Sequence, residues 1–381
     1  MSKNENYLKF GCVFGVPIAK ITRENLKSYL TNIPKNQKIG LNFAYSEVVL
    51  RANRNQFYQE VVSQIINICD GKGLRWSLWK SERYSKFRQN LEVLRETTGK
   101  KHQIQTSNSK NSLKTKEIVL FLVNILKKVL FWIFLFWELV ANFLSGILIL
   151  ISFKFGEIEI ILGREFVYEL FDLALQKHWK IAIIGGSDLA QQNLKKKFPK
   201  LKVDFWFQNS SSKLMRDLPY LEIKNKTENL QNQQKNQPNL TGIHNFLNTQ
   251  NLISSFPDLQ NAQEWLVDKN ADLVLICLGG ASGKQEFFLN FIRHNNNLKF
   301  DLGVCLGAAL DHLGGGKKQQ EAPKIMQRVG LEWLFRIISQ PYRRKRIWDS
   351  IWTLFWWTSL SRFVPPKMEV NLKNVSTINS L

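Results

Sequence analysis

The spacing of apolar and polar residues along the second half of the chain predicts alternating strands and helices. Four apolar, β-rich runs are typical of buried strands: 180–184, 202–207, 272–278 and 302–306. Other segments place apolar residues at helical spacing: 165–176, 188–198 and 285–293. This alternation predicts an α/β fold, with a Rossmann-like, mainly parallel sheet and helices on both faces.

The N-terminal segment is consistent with the same architecture. A short strand and turn are predicted over 8–20, a helix over 23–30 and a strand over 38–41. Apolar residues recur at helical spacing over 47–68, which predicts one helix. That helix is expected to end at Cys69-Asp70-Gly71-Lys72-Gly73, because the two glycines interrupt a helix and turn the chain.

Composition separates further segments from this α/β pattern. Residues 99–116 are polar and basic, which is typical of a linker, and 117–153 are strongly apolar. Residues 224–260 are rich in Asn and Gln and are expected to form a partly ordered surface insertion. The predicted organisation is therefore as follows: an α/β domain from 1–98 and 156–330, a basic linker with an apolar helical, membrane-associating insertion over 99–155, the surface insertion at 224–260, and a basic, aromatic, helical C-terminal appendage over 331–381.

The charge of the chain favours an anionic partner. Lys plus Arg number 53 and Asp plus Glu number 31, for a formal net charge of +22. Nucleic acid, an anionic membrane and phosphorylated substrates all fit this charge. Five of the 12 tryptophans stand among basic residues near the C-terminus, which is typical of a bilayer interface. No zinc-finger or RRM signature is present, so nucleic acid is not the expected partner.

Cysteines, histidines and the N-terminus add little chemistry. The four cysteines (Cys12, Cys69, Cys277 and Cys305) are far apart and form no CxxC pair, so buried free thiols in a reducing cytoplasm are expected. The five histidines are scattered and no DxD element is present, so no metal site is predicted. The N-terminus, 1–10, has no apolar run resembling a signal peptide.

Three segments, in order, resemble the WecG/TagA/CpsF family of glycosyltransferases. Asp70-Gly71-Lys72-Gly73 resembles the family's DGxG element. Residues 279–286 (GGASGKQE) resemble its GxPKQE loop, with one extra residue and no proline. Residues 303–346, which include APKIMQRVGLEWLFRIISQPYRRKR, resemble its longest and most specific element closely. The chain departs from the family at Phe43 and Tyr45, where Thr and Asn are expected, while Glu47 aligns.

The resemblance implies an inverting glycosyltransferase. The donor would be a UDP-sugar carrying an N-acetylhexosamine-type sugar, and the acceptor would be linked to a polyprenyl diphosphate. The product would enter cell-surface polysaccharide or teichoic acid synthesis, and neither a cofactor nor a metal is implied. A non-catalytic, membrane-associated binding protein on the same fold is the alternative, which the changed Phe43 and Tyr45 motivate. An oligomer of identical chains is a further possible assembly.

Asp70 is the candidate general base, since the reaction must deprotonate an acceptor hydroxyl. Its alternative is a turn-forming aspartate bonded to its own backbone. Donor or diphosphate binding is assigned to Gln285, Arg336, Arg343, Arg346, Gly71, Gly73 and Gly186. Arginine offers forked donors that match phosphate oxygens, although a basic face of a membrane-lying helix remains the alternative. A sugar or acceptor pocket is assigned to Asn42, Tyr45 and Asp311.

The apolar segment is expected to associate with one face of the membrane, and a single crossing is not expected. Residues 129–152 are long enough for one span, but Asp70 precedes them and Gln285 follows them, and both must reach one site. Two spans need about 40 apolar residues, which exceeds 117–153. We expect a monotopic or peripheral hairpin on the cytoplasmic face of the cell membrane, with a helical pair packed on the protein or in a dimer as the alternative.

Overall fold

The computed structural model describes residues 8–99, 125–126, 128–129, 132–133, 136–146, 158–206, 257–278, 283–313, 322–328, 331–341 and 344–360. The strands, β1 to β8, are Phe10–Val13, Val16–Ala19, Ile39–Ala44, Ile66–Cys69, Lys180–Gly185, Lys202–Trp206, Leu273–Cys277 and Leu302–Cys305. The helices, α1 to α12, are Arg23–Thr31, Ser46–Arg54, Gln56–Ser63, Lys72–Gly99, Gly163–Gln176, Asp188–Lys197, Pro257–Lys269, Lys284–His294, Ala309–Leu313, Lys324–Arg328, Glu332–Ser339 and Arg344–Leu360. Residues 136–146 are also helical.

The eight strands form one sheet in the order β1-β2-β4-β3-β8-β7-β5-β6. Every neighbouring pair is parallel except β1 with β2, which is antiparallel. The parallel strands are largely buried, as β7 (Leu-Val-Leu-Ile-Cys) shows at every position. The predicted α/β fold with a mainly parallel, Rossmann-like sheet is confirmed.

Helices cover both faces of the sheet, as predicted. Successive side chains of a strand point to opposite faces. In β5, Ile181 and Ile183 pack in a cluster with residues of α1, α5 and α6, whereas Ala182 and Ile184 pack with residues of α7 and α8. Both faces are therefore closed by apolar packing.

The prediction of one helix over 47–68 is wrong. Asn55 lies in extended backbone, where it ends α2, and its side chain accepts a hydrogen bond from the Tyr58 N–H to cap α3. Ile66–Cys69 then form β4 beside β3. A buried strand and a buried helix both read as apolar runs, and helical spacing continued by chance across the boundary.

The C-terminal helix α12 packs on the α/β domain against α2 and α4. Leu354 is 3% exposed and belongs to the core under α2. Phe355 stacks on Trp76 of α4, with ring centroids 5.9 Å apart. Ser77 and Thr358 share a hydrogen bond of 2.5 Å between their hydroxyl oxygens.

The apolar insertion is described only in part. Its residues 136–146 contact α4, where Trp76 donates to Ser145 at 3.2 Å and Tyr84 donates to Glu138 at 2.8 Å. The predicted linker after residue 99, most of the rest of 117–153 and residues 224–256 of the predicted surface insertion lie outside the described residues. Within the described part of the chain, no helix is both long enough and apolar enough to cross a membrane.

Candidate functional site

Parallel strands end at one edge of the sheet, and the segments that follow them carry most of the predicted site residues. Tyr45 follows β3 and Asp70 follows β4. Gln285 lies in the first turn of α8, which follows β7, and Gly307 follows β8. In open α/β sheets, ligands bind in the crevice outside the carboxyl ends of the strands.

Asp70 lies directly after β4, whereas the sequence placed it at the end of a helix. Its backbone N–H donates to the carbonyl of Ala44 at 2.8 Å, which fixes it beside the end of β3. Gly71 has φ +147°, a conformation that favours glycine, and a Cβ added there would meet no atom of the described residues within 4 Å. Within the described part of the chain, open space therefore lies beside Gly71, the residue that follows Asp70.

Gly73 faces protein. A Cβ added at Gly73 would lie 3.0 Å from a methyl carbon of Leu354 and 3.2 Å from the hydroxyl oxygen of Ser46. The absence of a side chain at this position lets α12 approach the start of α4 closely. The structure thus gives Gly73 a packing role, and its assignment to donor binding stays a prediction.

The environment of Asp70 raises its pKa to about 7, because burial disfavours the charged carboxylate. The backbone N–H of Gly163, which donates to this carboxylate, opposes the shift, as do the charges of Arg164 and Arg336. Glu332 adds to the shift as a like charge. A carboxyl group with a pKa near neutrality is suited to general base catalysis.

Arg164, Glu332 and Arg336 form an ion-pair bridge beside Asp70. Arg164 Nη1 lies 2.6 Å from Glu332 Oε1, and its Nη2 lies 3.3 Å from Oε2. Arg336 Nη2 lies 2.7 Å from the same Oε1. Burial would raise the pKa of Glu332, but the hydrogen bonds and charges of the two arginines outweigh it and lower that pKa. The bridge joins α5 of the α/β domain to α11.

Phe43, one of the departures from the family pattern, is a core residue. A Cβ added at Gly163 would lie 2.9 Å from Cγ of Phe43. The Phe43 ring also packs on Phe166, with centroids 5.6 Å apart. The first turn of α5, from which Gly163 reaches Asp70, therefore rests on Phe43.

Glu47 and Arg346 join α2 to α12 at the same edge of the sheet. Arg346 Nε and Nη2 both donate to the Glu47 carboxylate, the latter at 2.8 Å. Burial, together with the charges of Glu47 and Glu286, raises the pKa of Tyr45, so its hydroxyl stays neutral. Tyr45 and Arg346 thus lie within electrostatic reach of one another, and the assignment of Tyr45 to a sugar or acceptor pocket stays a prediction.

A buried polar cluster continues from Tyr45 to the start of α8. Arg51 lies over the Tyr58 ring, 5.1 Å from its centroid. Burial raises the pKa of Glu286, which is 0% exposed, and the charge of Arg51 opposes that shift. Gln285 donates to Glu286 at 3.2 Å and accepts from the backbone N–H of Gly307 at 2.9 Å. Gln285 therefore ties α8 to the segment after β8.

Some predicted site residues are not brought close to Asp70. Gly186 follows β5, four strand spacings away from β4, which is about 19 Å. A Cβ added at Gly186 would lie 2.9 Å from a methyl carbon of Leu310, so this glycine packs under α9. Asp311 also lies in α9. Its charge raises the pKa of Cys277 less than burial does.

Two further assignments have different outcomes. Asn42 is fully buried in β3, where its amide donates to Asn67 Oδ1 at 3.1 Å, so its side chain faces the core. Arg343 lies outside the described residues. Pro341 separates α11 from α12, so Arg336 and Arg346 come from two helices, as the sequence predicts.

Four residues near the site were not predicted from the sequence to belong to it: Arg51, Arg164, Glu286 and Glu332. A signal existed for Glu332, because it precedes Arg336 by four residues, a spacing at which helical side chains meet. Arg164 gave no such signal, since its partner Glu332 lies 168 residues away. Arg51 contacts the nearby Tyr58, but its interaction with Glu286 joins distant parts of the chain. Glu286 directly follows Gln285, but burial of a glutamate is not visible from its neighbours.

The arrangement combines one carboxylate poised to accept a proton, adjacent open space and arginines on the facing helices. Within the described residues, no group of three or more His, Cys, Asp or Glu side chains could hold a metal ion. Such a site is suited to deprotonating a hydroxyl next to an anionic group that the arginines stabilise.

A comparison with known protein families finds a match in the second half of the chain. Residues 223–367 match the model of the glycosyl transferase WecG/TagA/CpsF family. The match confirms the resemblance and includes Gln285, Glu332, Arg336 and Arg346. The matched family is one of glycosyl transferases. Asp70 and Arg164 precede the matched segment and are joined to it by the fold.

Proposed function

Taking the match to the WecG/TagA/CpsF family as the premise, we propose that the chain is an inverting glycosyltransferase that uses a UDP-sugar. The transferred unit is an N-acetylhexosamine-type sugar, and the acceptor is linked to a polyprenyl diphosphate. The observation that carries the proposal is the setting of Asp70: burial raises its pKa to about 7, the charges of Arg164 and Arg336 act on it, and open space among the described residues lies beside the next residue, Gly71.

In the proposed reaction, Asp70 removes the proton from an acceptor hydroxyl as that oxygen attacks the anomeric carbon of the donor. The new glycosidic bond forms on the face opposite the leaving group, which inverts the configuration. The bond from the anomeric carbon to the diphosphate oxygen breaks, and its electron pair leaves with UDP. Arg336 and Arg346, with Arg343, stabilise the negative charge that develops on the diphosphate.

Both described arginines retain donors for a diphosphate. A guanidinium group offers five N–H donors. Arg336 contacts Glu332 through Nη2, and Arg346 contacts Glu47 through Nε and Nη2. Their remaining donors can bind phosphate oxygens while the carboxylates hold each guanidinium in place.

We propose further that the protein works on the cytoplasmic face of the cell membrane, as a monotopic or peripheral protein. Large aromatic side chains are exposed on two neighbouring segments, residues 136–146 and α12: Phe136, Trp137, Phe143, Trp348, Trp356 and Trp357. Phe143 and Phe355 pack edge to face at 6.4 Å and join the two segments. Exposed aromatics of this extent are typical of a membrane or protein interaction surface.

The decisive experiment is turnover of UDP-N-acetylhexosamines by the purified protein with a short-chain polyprenyl-diphosphate-sugar acceptor. Asp70→Asn is expected to lower turnover by about 10²–10⁴-fold, since it removes the base and keeps the size of the side chain. Donor binding, measured by calorimetry, should persist. A variant that keeps more than about a tenth of the wild-type turnover would show that Asp70 is not the base.

The alternative is a non-catalytic binding protein on the same fold. In that case the wild-type protein would bind the lipid-linked sugar or UDP-sugar without releasing UDP. The variant Phe43→Thr with Tyr45→Asn, which restores the family pattern, would then test whether these two changes account for the missing turnover. Because Phe43 supports Gly163 in the core, its replacement also costs stability. The same turnover assay therefore separates the two functions.

A further inference from the structure

Asp70 shares its surroundings with a second carboxylate, Glu332, and the two are held in different ways. Glu332 accepts hydrogen bonds from two arginines, Arg164 at 2.6 Å and Arg336 at 2.7 Å. Asp70 instead accepts from the backbone N–H of Gly163 and feels the same arginines through their charge. Carboxylates whose surroundings separate their pKa values take different roles.

We propose that Glu332 and Arg164 are positioning residues for the Asp70 base, and that the bridge Arg164–Glu332–Arg336 sets the charge that Asp70 experiences. This inference rests on the proposed function and adds to it two residues that bind neither substrate in the proposal. Glu332 holds the guanidinium groups of Arg164 and Arg336 beside Asp70, and its negative charge partly offsets their positive charge.

Geometry supports this role. Arg164 is the second residue of α5, directly after Gly163, whose N–H donates to Asp70. The two-point contact of Arg164 with Glu332 fixes the orientation of both groups. The side chains are 14% and 26% exposed, so water screens their interaction only in part. The bridge thus connects the backbone that holds Asp70 to the helix that carries Arg336.

Two further charged groups of the described residues lie near the bridge, and both follow Asp70 in the chain. Lys72, in the first turn of α4, interacts with the charge of Glu332. Arg75, one turn further, interacts with the thiol of Cys69, as does Asp70. Arg164, Arg336 and Glu332 face Asp70 from the opposite elements, α5 and α11.

Removing each end of the bridge should change the proton affinity of Asp70 in opposite directions. Arg164→Gln removes a positive charge near Asp70, so its pKa should rise. Glu332→Gln removes a negative charge and leaves two arginines facing Asp70, so its pKa should fall. We expect the acid limb of the pH–rate profile to move by about 0.5–1 pH unit, upward for Arg164→Gln and downward for Glu332→Gln. A purely structural bridge would lower activity in both variants without opposite shifts.

The test combines two measurements on the full-length protein. The first is the pH dependence of turnover for the wild type, Arg164→Gln and Glu332→Gln, with Glu169→Gln as the matched control. Glu169 lies in α5, the helix that also carries Arg164, and forms an ion pair with Arg23 of α1. The control therefore removes a carboxylate from an ion pair in the same helix, and it should keep the acid limb of the wild type. Arg164→Lys keeps the charge without the forked contact, so its acid limb should stay near that of the wild type while kcat falls.

The second measurement does not depend on turnover. The carboxyl carbon of Asp70, assigned by its loss in Asp70→Asn, is titrated by ¹³C NMR in the same variants. Opposite shifts of its midpoint are expected even if the protein turns over none of the sugars tried, in which case the proposed function fails and the positioning role stands. Shifts in the same direction, or a midpoint that neither variant moves, would overturn the positioning role. If Arg164→Gln does not fold, Glu332→Gln and Arg164→Lys still decide the outcome.

Discussion

At the scale of single residues, the surroundings of Asp70 oppose its ionisation. The folded-state pKa of about 7 lies above the usual value of 3.8, so the folded protein binds this proton more tightly than the unfolded chain does. The contribution of Asp70 to stability is therefore present below pH 3.8 and is lost as the pH rises through about 7. A carboxyl group whose charged form is destabilised in this way is typical of an active site.

Asp70→Asn should consequently stabilise the protein at pH 8. The amide keeps the size of the side chain and carries no charge, and we expect a gain of about 1–2 kcal/mol after allowing for partial contact with water. The measurement is chemical denaturation of both proteins at pH 8 and pH 5, with a smaller difference expected at pH 5. Equal stability at both values would mean that Asp70 ionises in the folded state as it does in water.

The arginines near the site should differ in their effect on the donor. Arg336→Ala and Arg346→Ala should each weaken UDP binding by about 10-fold or more, because a charge-assisted hydrogen bond worth roughly 1.5–3 kcal/mol is lost. Arg344 is the matched control, since its guanidinium donates to the carbonyls of Ile337 and Ile338 at the end of α11. Calorimetric titration with UDP measures all three. The same loss in Arg344→Ala would indicate a general basic patch.

At the scale of elements, α12 holds Arg346 near the site by packing against the α/β domain. Gly73 leaves room for Leu354, and Leu354 enters the core beneath α2. Glu47, in the first turn of α2 after β3, then meets Arg346. The position of this arginine therefore depends on apolar contacts elsewhere in the same helix.

Leu354→Ala should loosen α12 and impair the site together. Loss of a buried leucine side chain costs about 2–5 kcal/mol, and we expect UDP binding to weaken as Arg346 loses its fixed position. Leu360, which is 38% exposed in the same helix, provides the control substitution Leu360→Ala. Thermal unfolding and UDP titration are compared for both variants. If Leu354→Ala unfolds earlier but binds UDP normally, α12 does not position the arginine.

At the scale of the whole molecule, helix α12 links the exposed aromatic side chains to the candidate site. Phe355 of α12 contacts both Trp76 and Phe143, while Arg346 at the start of that helix reaches Glu47. A membrane bound to the aromatic side chains would therefore lie near the residues proposed to bind the diphosphate. This proximity suits an acceptor that stays embedded in the bilayer.

Replacing the exposed tryptophans should release the protein from membranes. The triple variant Trp348→Ser, Trp356→Ser and Trp357→Ser should lose most of its binding to liposomes containing anionic lipid, measured by flotation, and should still bind UDP. Leu189 and Val267, exposed apolar residues of α6 and α7, provide the control substitutions to Ser. Unchanged flotation of the triple variant would direct attention to protein partners for this surface.

The fold class can be read from the sequence alone. The candidate base and the candidate arginines can also be named from the sequence, and their roles stay predictions. Buried strands such as Leu273–Cys277 need long apolar runs, and Gly71 after an aspartate marks a sharp turn, so both are readable locally. The sequence did not reveal the boundary at Asn55, because an apolar run with helical spacing fits a helix as well as a helix followed by a strand.

Which charged side chains form ion pairs could be seen only in the folded structure. Arg164 and Glu332 are 168 residues apart, and Glu47 and Arg346 are 299 apart, so their pairing depends on how α11 and α12 fold back onto the sheet. The strand order also places Gly186 far from Asp70, and Gly73 packs against Leu354. Apolar periodicity follows from local geometry, whereas electrostatic partners follow from chain topology, and no single segment of the sequence contains that information.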